Sequence, residues 1–205
     1  MIIEDENLLS DKEKDIITKH LYKIPFTFIN RSTTEKFPFY AHNMVSRPPY
    51  DLEKENKFSE EYSIKIESEY FSFYRMLLDR FCSVHGIKYR NIIRSCINST
   101  YYFPDYKFLD PHIDFSQKHL VILLYMNDVK SNKNYNNTIV FDLEYSDGKP
   151  FCYDLNEHSQ DEFSIKKEVI PKLGKFLCFD GKYYHANRFP FPGQNRFVCV
   201  FNLLM

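Results

Sequence analysis

Over most of its second half the chain alternates apolar with polar residues or runs short apolar blocks, and a helical period appears only in the first half. Residues 10–23 place Ile16, Ile17 and Leu21 at helical spacing behind Ser10, a capping residue with Glu13 three positions on. A short helix is predicted there, ended by Pro25. Residues 26–31 (FTFINR) alternate like a strand. From 32 to 57, Pro38, Pro48 and Pro49 lie among dense charge, which predicts a long irregular connection, either a surface excursion or a cover over a pocket mouth. The strongest helix signal spans 59–84. Ser59, Glu60 and Glu61 start it, Ile66, Tyr70, Phe73, Tyr74, Leu77, Leu78 and Phe81 form a wide apolar stripe, and Gly86 stops it.

Beyond that helix the pattern is almost wholly that of strands. Residues 89–103 put Arg94, Cys96, Asn98, Thr100 and Tyr102 on one face, a polar face that fits either a wet pocket or an exposed edge. The apolar run His119–Met126 follows. Next, 137–143 sets Ile139, Phe141 and Leu143 against Thr138 and Val140. The stretch 144–168 is polar and turn-rich, with a hairpin turn expected at Asp147-Gly148. A Gly turn at 174 precedes a short strand over 175–180. The last strand, 196–204, shows Arg196, Val198, Val200 and Asn202 on one side and Phe197, Cys199, Phe201 and Leu203 on the other. Both sides are mostly apolar, so burial on both faces is expected. Two helices followed by about eight short strands predict a mainly β fold with flanking helices: a double-stranded β-helix, or jelly-roll, with the N-terminal helices packed on one sheet.

Composition narrows this further. A chain of 205 residues with 43% hydrophobic content supports one core, so 1–205 is expected to be a single domain, with 1–87 as helical and irregular support and 88–205 as the catalytic core. Net charge is −1, giving no global field toward nucleic acid. The five cysteines are odd in number and lack a C-x-x-C pair, which reads as reduced core thiols in a cytoplasmic protein, or in the host cytoplasm if the chain is viral. The acidic start MIIEDENLLSDKEKD has no cationic leader, and the longest apolar stretch, Leu120–Met126, is seven residues, so neither a secretory signal nor a membrane span is expected. With only 5 Gly, phosphate-cradling loops are excluded.

The candidate chemistry lies between 112 and 196. His112 and Asp114 flank Ile113, His185 follows seventy-one residues after Asp114, and Arg196 eleven residues after that. With 7 His and 28 acidic residues, about one His-x-acid pair arises by chance, so the pair alone carries little. On an extended segment, however, positions 112 and 114 point to one side and 113 away. Two imidazoles and a carboxylate meeting on one face can hold iron(II) while leaving positions open for a cosubstrate and dioxygen. Arg196, facing the interior, needs an anion to offset its desolvation, and its fork suits an anionic cosubstrate. His119 begins a strand five residues past Asp114, within reach of a substrate or a loop, and Arg94 shares the polar face of 89–103; both are candidate substrate contacts. His20, His42, His85 and His158 form no pattern.

In these residues the chain resembles the Fe(II)/2-oxoglutarate-dependent dioxygenases, in particular the prolyl-4-hydroxylase-like branch and its short phage-encoded members. The resemblance covers about residues 88–204. It rests on His112-x-Asp114, "YMN" at 125–127, "NTIVFDL" at 137–143, "PKLGKFLCFDG" at 171–181, and the order His185, Pro190 or Pro192, Arg196. It implies that His112, Asp114 and His185 carry Fe(II) and that Arg196 pairs with the distal carboxylate of 2-oxoglutarate. Tyr125, Tyr102 and Asn98 then line the cosubstrate pocket. The implied reaction consumes O2 and hydroxylates a C–H bond, releasing succinate and CO2. The substrate is expected to be a prolyl residue or other peptide, an amino acid or a metabolite rather than a polynucleotide. Two departures stand out: the usual Gly-Gly before "NTIVF" is Asn136-Asn137, and the hydroxyl residue often found downstream of the arginine is Val198 or Val200. The competing reading is a non-catalytic metal-binding jelly-roll with a structural or assembly role, for example in a virus. It would have no need for an anion fork inside the barrel.

Overall fold

The computed structural model describes residues 1–30, 37–46, 65–104, 106–130, 132 and 134–205. Within them lie β1 (Ile2–Asp5), α1 (Asp11–Leu21), β2 (Thr27–Ile29), β3 (Phe39–Val45), α2 (Phe71–Val84), β4 (Asn91–Thr100), β5 (His119–Tyr125), β6 (Thr138–Glu144), β7 (Ile165–Val169), β8 (Phe176–Asp180), β9 (Tyr183–Asn187) and β10 (Arg196–Leu204). Seven strands form one sheet in the order β1-β8-β5-β10-β4-β3-β2, and three form another in the order β7-β6-β9. Every pairing between these strands is antiparallel.

Alternation along the central strands separates two environments. Cys199, Phe201 and Leu203 of β10, Leu120, Ile122 and Leu124 of β5, and Phe176 and Cys178 of β8 pack with Leu77, Leu78 and Phe81 of α2 and Ile17 of α1. The opposite face sends Val121, Leu123, Tyr125, Leu177, Val198 and Val200 against Val140, Val169 and Tyr183 of the smaller sheet. A third cluster covers the outer side of that sheet, where Ile139, Phe141, Tyr184 and Ala186 meet Phe108, Ile113 and Leu155.

Local signals account for both helices. At α1 the Ser10 hydroxyl accepts from the Glu13 N–H while the Glu13 carboxylate accepts from the Ser10 N–H, a reciprocal cap. At the end of α2, Gly86 takes φ +65 and Ile87 N–H donates to the Cys82 carbonyl at 2.8 Å, closing the last turn. The helix predicted from 59 begins only at Phe71. Its expected positions 59–64 lie outside the described residues, and Ile66 is an exposed, extended residue bridged to Val45. Sheet pairing there overrides a helical spacing that continues upstream by coincidence, with Glu67 N–H donating to the Met44 carbonyl at 3.0 Å.

Further corrections concern short strands. Within the connection expected at 32–57, residues 39–45 form β3, paired with β4 through a bulge between Asn43 and Val45; the rest of that connection, apart from residues 37, 38 and 46, lies outside the described residues. In the stretch taken as turns, Ile165–Val169 forms β7. Beyond the strand expected at 175–180, His185 lies inside a further one, β9. Gly148 takes φ +90 at the expected turn. No helix among the described residues is long and apolar enough to cross a membrane.

Candidate metal centre and anion pocket

The segment carrying His112 is held as a strand between two others without belonging to either sheet. His112 N–H donates to the His185 carbonyl at 3.1 Å and His185 N–H to the His112 carbonyl at 2.9 Å. On its other side, Ile113 N–H donates to the Phe151 carbonyl at 2.9 Å and Tyr153 N–H to the Pro111 carbonyl at 2.9 Å. Extended geometry then turns Ile113 into the outer cluster and sends its neighbours the other way. The buried Asp110 carboxylate secures this arrangement by accepting from the Leu155 N–H at 3.0 Å.

The result brings His112, Asp114 and His185 together, with one ligand atom from each inside 4.8 Å of the others. Each imidazole has its Nδ1 against a backbone carbonyl, His112 against Asp110 at 2.9 Å and His185 against Tyr183 at 3.2 Å. With Nδ1 as donor, the Nε2 lone pair is left for a metal. Burial, reinforced by His112, pushes His185 down to about 4, so it is neutral at pH 7 and fit to ligate. Burial works against ionisation of Asp114. The neighbouring His185, Arg94, His112 and His119 outweigh that and hold the carboxyl below its ordinary range. Asn202 donates to Asp114 Oδ2 at 2.8 Å, and Arg94 Nη1 lies 3.6 Å from Oδ1. Two imidazoles and a carboxylate, oriented by carbonyls and an amide, suit a first-row divalent ion.

These residues open into a cavity of about 240 Å³ between the sheets, whose wall also includes Arg94, Asn98, Thr100, Thr138 and Arg196. The polar face of β4 is therefore the wet one. Arg196 is 5% exposed, and among the described residues no carboxylate lies within ion-pair distance of it. Its Nη2 donates to Thr138 Oγ1 at 2.7 Å, its guanidinium carbon lies 5.4 Å from the centre of the Tyr125 ring, and its Nε has no hydrogen-bond partner. Burial pulls its pKa down, with Tyr125 opposing. A buried cation without a counter-ion is costly, and an anion in the cavity removes that cost.

Other expected site residues fall elsewhere. Tyr125 is buried behind the wall, its hydroxyl donating to Thr138 Oγ1 at 2.6 Å. Tyr102 is not on the wall: β4 ends at Thr100, the alternation stops, and its ring packs 6.3 Å from Tyr135 while Tyr101 lines the cavity. His119 also lies off the wall. Its Nδ1 meets the Gln117 carbonyl at 2.7 Å and its ring fills the space beside Gly181, where an added Cβ would come within 2.1 Å of Nε2. Sequence reasoning missed Thr138 and the role of Asn202. Thr138 Oγ1 accepts from both Tyr125 and Arg196, so its own O–H is the donor left for the cavity. Asn136 takes φ +68, the left-handed conformation that favours glycine.

No protein-family model matches the chain, and no curated protein matches it in sequence. Solved structures do match in fold. A 2OG-Fe(II) oxygenase family oxidoreductase from Burkholderia pseudomallei aligns with TM-score 0.64 at 12% identity, over 99% of this chain and 85% of its own. HygX from Streptomyces hygroscopicus, solved with nickel and 2-oxoglutarate bound, aligns with TM-score 0.59 at 11% identity, over 98% and 82%. A Pseudomonas putida prolyl-4-hydroxylase aligns with TM-score 0.55 at 10% identity, over 100% and 92%. At such identities the likeness concerns the fold.

Proposed function

We propose that this protein is an Fe(II)- and 2-oxoglutarate-dependent oxygenase, its two facing sheets forming a double-stranded β-helix within one domain. The observation that carries the reading is Arg196, a buried guanidinium without an acidic partner among the described residues, on the wall of the cavity that contains the His112–Asp114–His185 triad. A site built only to brace the fold with a metal has no use for that cation.

His112 and His185 would hold the ion through Nε2 and Asp114 through one carboxylate oxygen, with Asn202 keeping the carboxylate turned inward. Fe(II) with 2-oxoglutarate and O2 supplies the oxidising chemistry, releasing succinate and CO2. Arg196 would fix the distal carboxylate of the cosubstrate, and Thr138 would donate its O–H beside it. Tyr125 acts one step back, orienting Thr138 through its own hydroxyl. Val121, Leu123, Val198 and Val200 keep that part of the cavity apolar, which strengthens the charge pairing at Arg196. The proposed outcome is hydroxylation of a substrate C–H bond.

The test is anaerobic addition of Fe(II) and 2-oxoglutarate, read as a weak visible absorption band, followed by admission of O2 and assay of succinate. The wild type is expected to give both, and Asp114→Ala neither, while retaining its fold because apolar burial holds the strands. Absence of both signals from a folded wild-type protein, or full turnover by Asp114→Ala, overturns the reading.

A further inference from the structure

Two residues that face each other on the cavity wall each bury a polar atom without a hydrogen-bond partner among the described residues. One atom is Nε of Arg196 and the other is Oγ1 of Thr100. Arg196 opens β10 and Thr100 ends β4. They lie directly opposite in the antiparallel register, and both line the cavity. Opposed residues on one face of a sheet have their Cβ atoms roughly 5 Å apart. Since both atoms are unpartnered, the Thr100 hydroxyl and the Arg196 Nε are not bonded to one another.

The guanidinium is held from its other flank. In the sheet, β10 runs between β5 and β4. On the β5 side the Tyr125 ring centre lies 5.4 Å from the guanidinium carbon, and Nη2 donates to Thr138 Oγ1 at 2.7 Å. Thr100 stands on the β4 side, so an acceptor placed between it and the guanidinium satisfies two orphaned donors at once. A water molecule can accept from both but leaves the buried charge without a counter-ion. A carboxylate accepts from both and supplies the charge, and its two oxygens have lone pairs enough for Arg196, Thr138 and Thr100 together. Packing alone does not call for the hydroxyl. Valine has the same shape, suits a strand equally well and buries no polar atom.

From this we infer that Thr100 is a third donor to the distal carboxylate of the cosubstrate, beside Arg196 and Thr138, and that it sets selectivity for 2-oxo diacids over 2-oxo monoacids. The inference rests on the oxygenase reading above. A hydroxyl that donates only to the distal carboxylate contributes nothing to an acid lacking that group. Thr100 therefore acts on the difference between two ligands and not on metal binding or on the 2-oxo end.

The test is calorimetric titration of Mn(II)-loaded protein with 2-oxoglutarate and with 2-oxovalerate, which keeps the five-carbon 2-oxo acid but ends in a methyl group. Thr100→Val should weaken 2-oxoglutarate binding about tenfold, because the lost hydrogen bond is to a charged acceptor. Binding of 2-oxovalerate and of Mn(II) should stay within about twofold, so that the preference for the diacid falls by the same factor of about ten. Thr100→Ser, which restores the hydroxyl without the methyl, should recover most of the loss. Unchanged 2-oxoglutarate affinity in Thr100→Val overturns the inference. So does an equal loss for both acids, or a loss that Thr100→Ser leaves in place, since Thr100 would then shape the wall through packing. Failure of folded wild-type protein to take up Mn(II) and 2-oxoglutarate overturns the underlying oxygenase reading, a distinct result.

Discussion

Along β10, Phe197, Cys199, Phe201 and Leu203 turn toward the helices, while Arg196, Val198, Val200 and Asn202 turn toward the smaller sheet. The first set meets a continuous apolar surface in which Phe201 is fully buried against residues of α1, α2 and the neighbouring strands. The second set places a guanidinium and two valines on the cavity wall, and an amide against Asp114. One face is finished without a ligand. The other keeps Arg196 Nε and Asn202 Oδ1 buried without a hydrogen-bond partner. A strand can thus devote alternate residues to stability and to recognition, and polar cost marks the side where something binds.

That division can be broken first from the apolar side. Phe201→Ala should cost about 3–5 kcal/mol of stability in denaturant unfolding, through lost transfer energy and a cavity. Mn(II) affinity of the folded protein should be nearly unchanged; a large loss would mean that the two faces are not separable. On the other face, Arg196→Met should leave the unfolding midpoint nearly unmoved, or raise it, because a desolvated charge is removed. Its 2-oxoglutarate binding should weaken by about 1.5–3 kcal/mol, with only partial recovery in Arg196→Lys. Calorimetry under Mn(II) checks this, and unchanged affinity would remove the anion fork from the site. The smallest effect sharpens the boundary between the faces. Tyr125→Phe deletes a hydroxyl that reaches Thr138 but not the cavity, so 2-oxoglutarate affinity should fall by about 0.5–1.5 kcal/mol. A loss as large as that of Arg196→Met would show Tyr125 touching the cosubstrate directly.

How much of this was legible in the chain depends on how completely local pattern and tertiary context agree. β5 and β10 were readable because they are buried on both faces and mostly apolar. The capping pair of Ser10 and Glu13 announced α1. The strands β3 and β7 were hidden because their polar residues, such as His42 and Lys166, interrupt the alternation, and their partners lie far away in sequence. β9 was hidden differently: YYHAN is too short to separate from the turn before it, yet it carries a candidate ligand. The candidate triad and Arg196 could be picked out from residue type and order. Thr138 could not, because its role depends on two donors arriving from β5 and β10, a meeting that no local spacing records.

The reciprocal backbone hydrogen bonds between His112 and His185 carry a consequence for how an ion would enter. Two of the three candidate ligand residues are joined as a cross-strand pair by backbone hydrogen bonds that involve no metal, and Asn202 holds the third. Capture then requires no folding event. The rate of uptake should be set by stripping water from the ion and by passage through the cavity, and release should leave an intact receptacle. Repeated chelation and reloading ought to be reversible at constant secondary structure, in contrast to small domains whose metal organises the chain around itself.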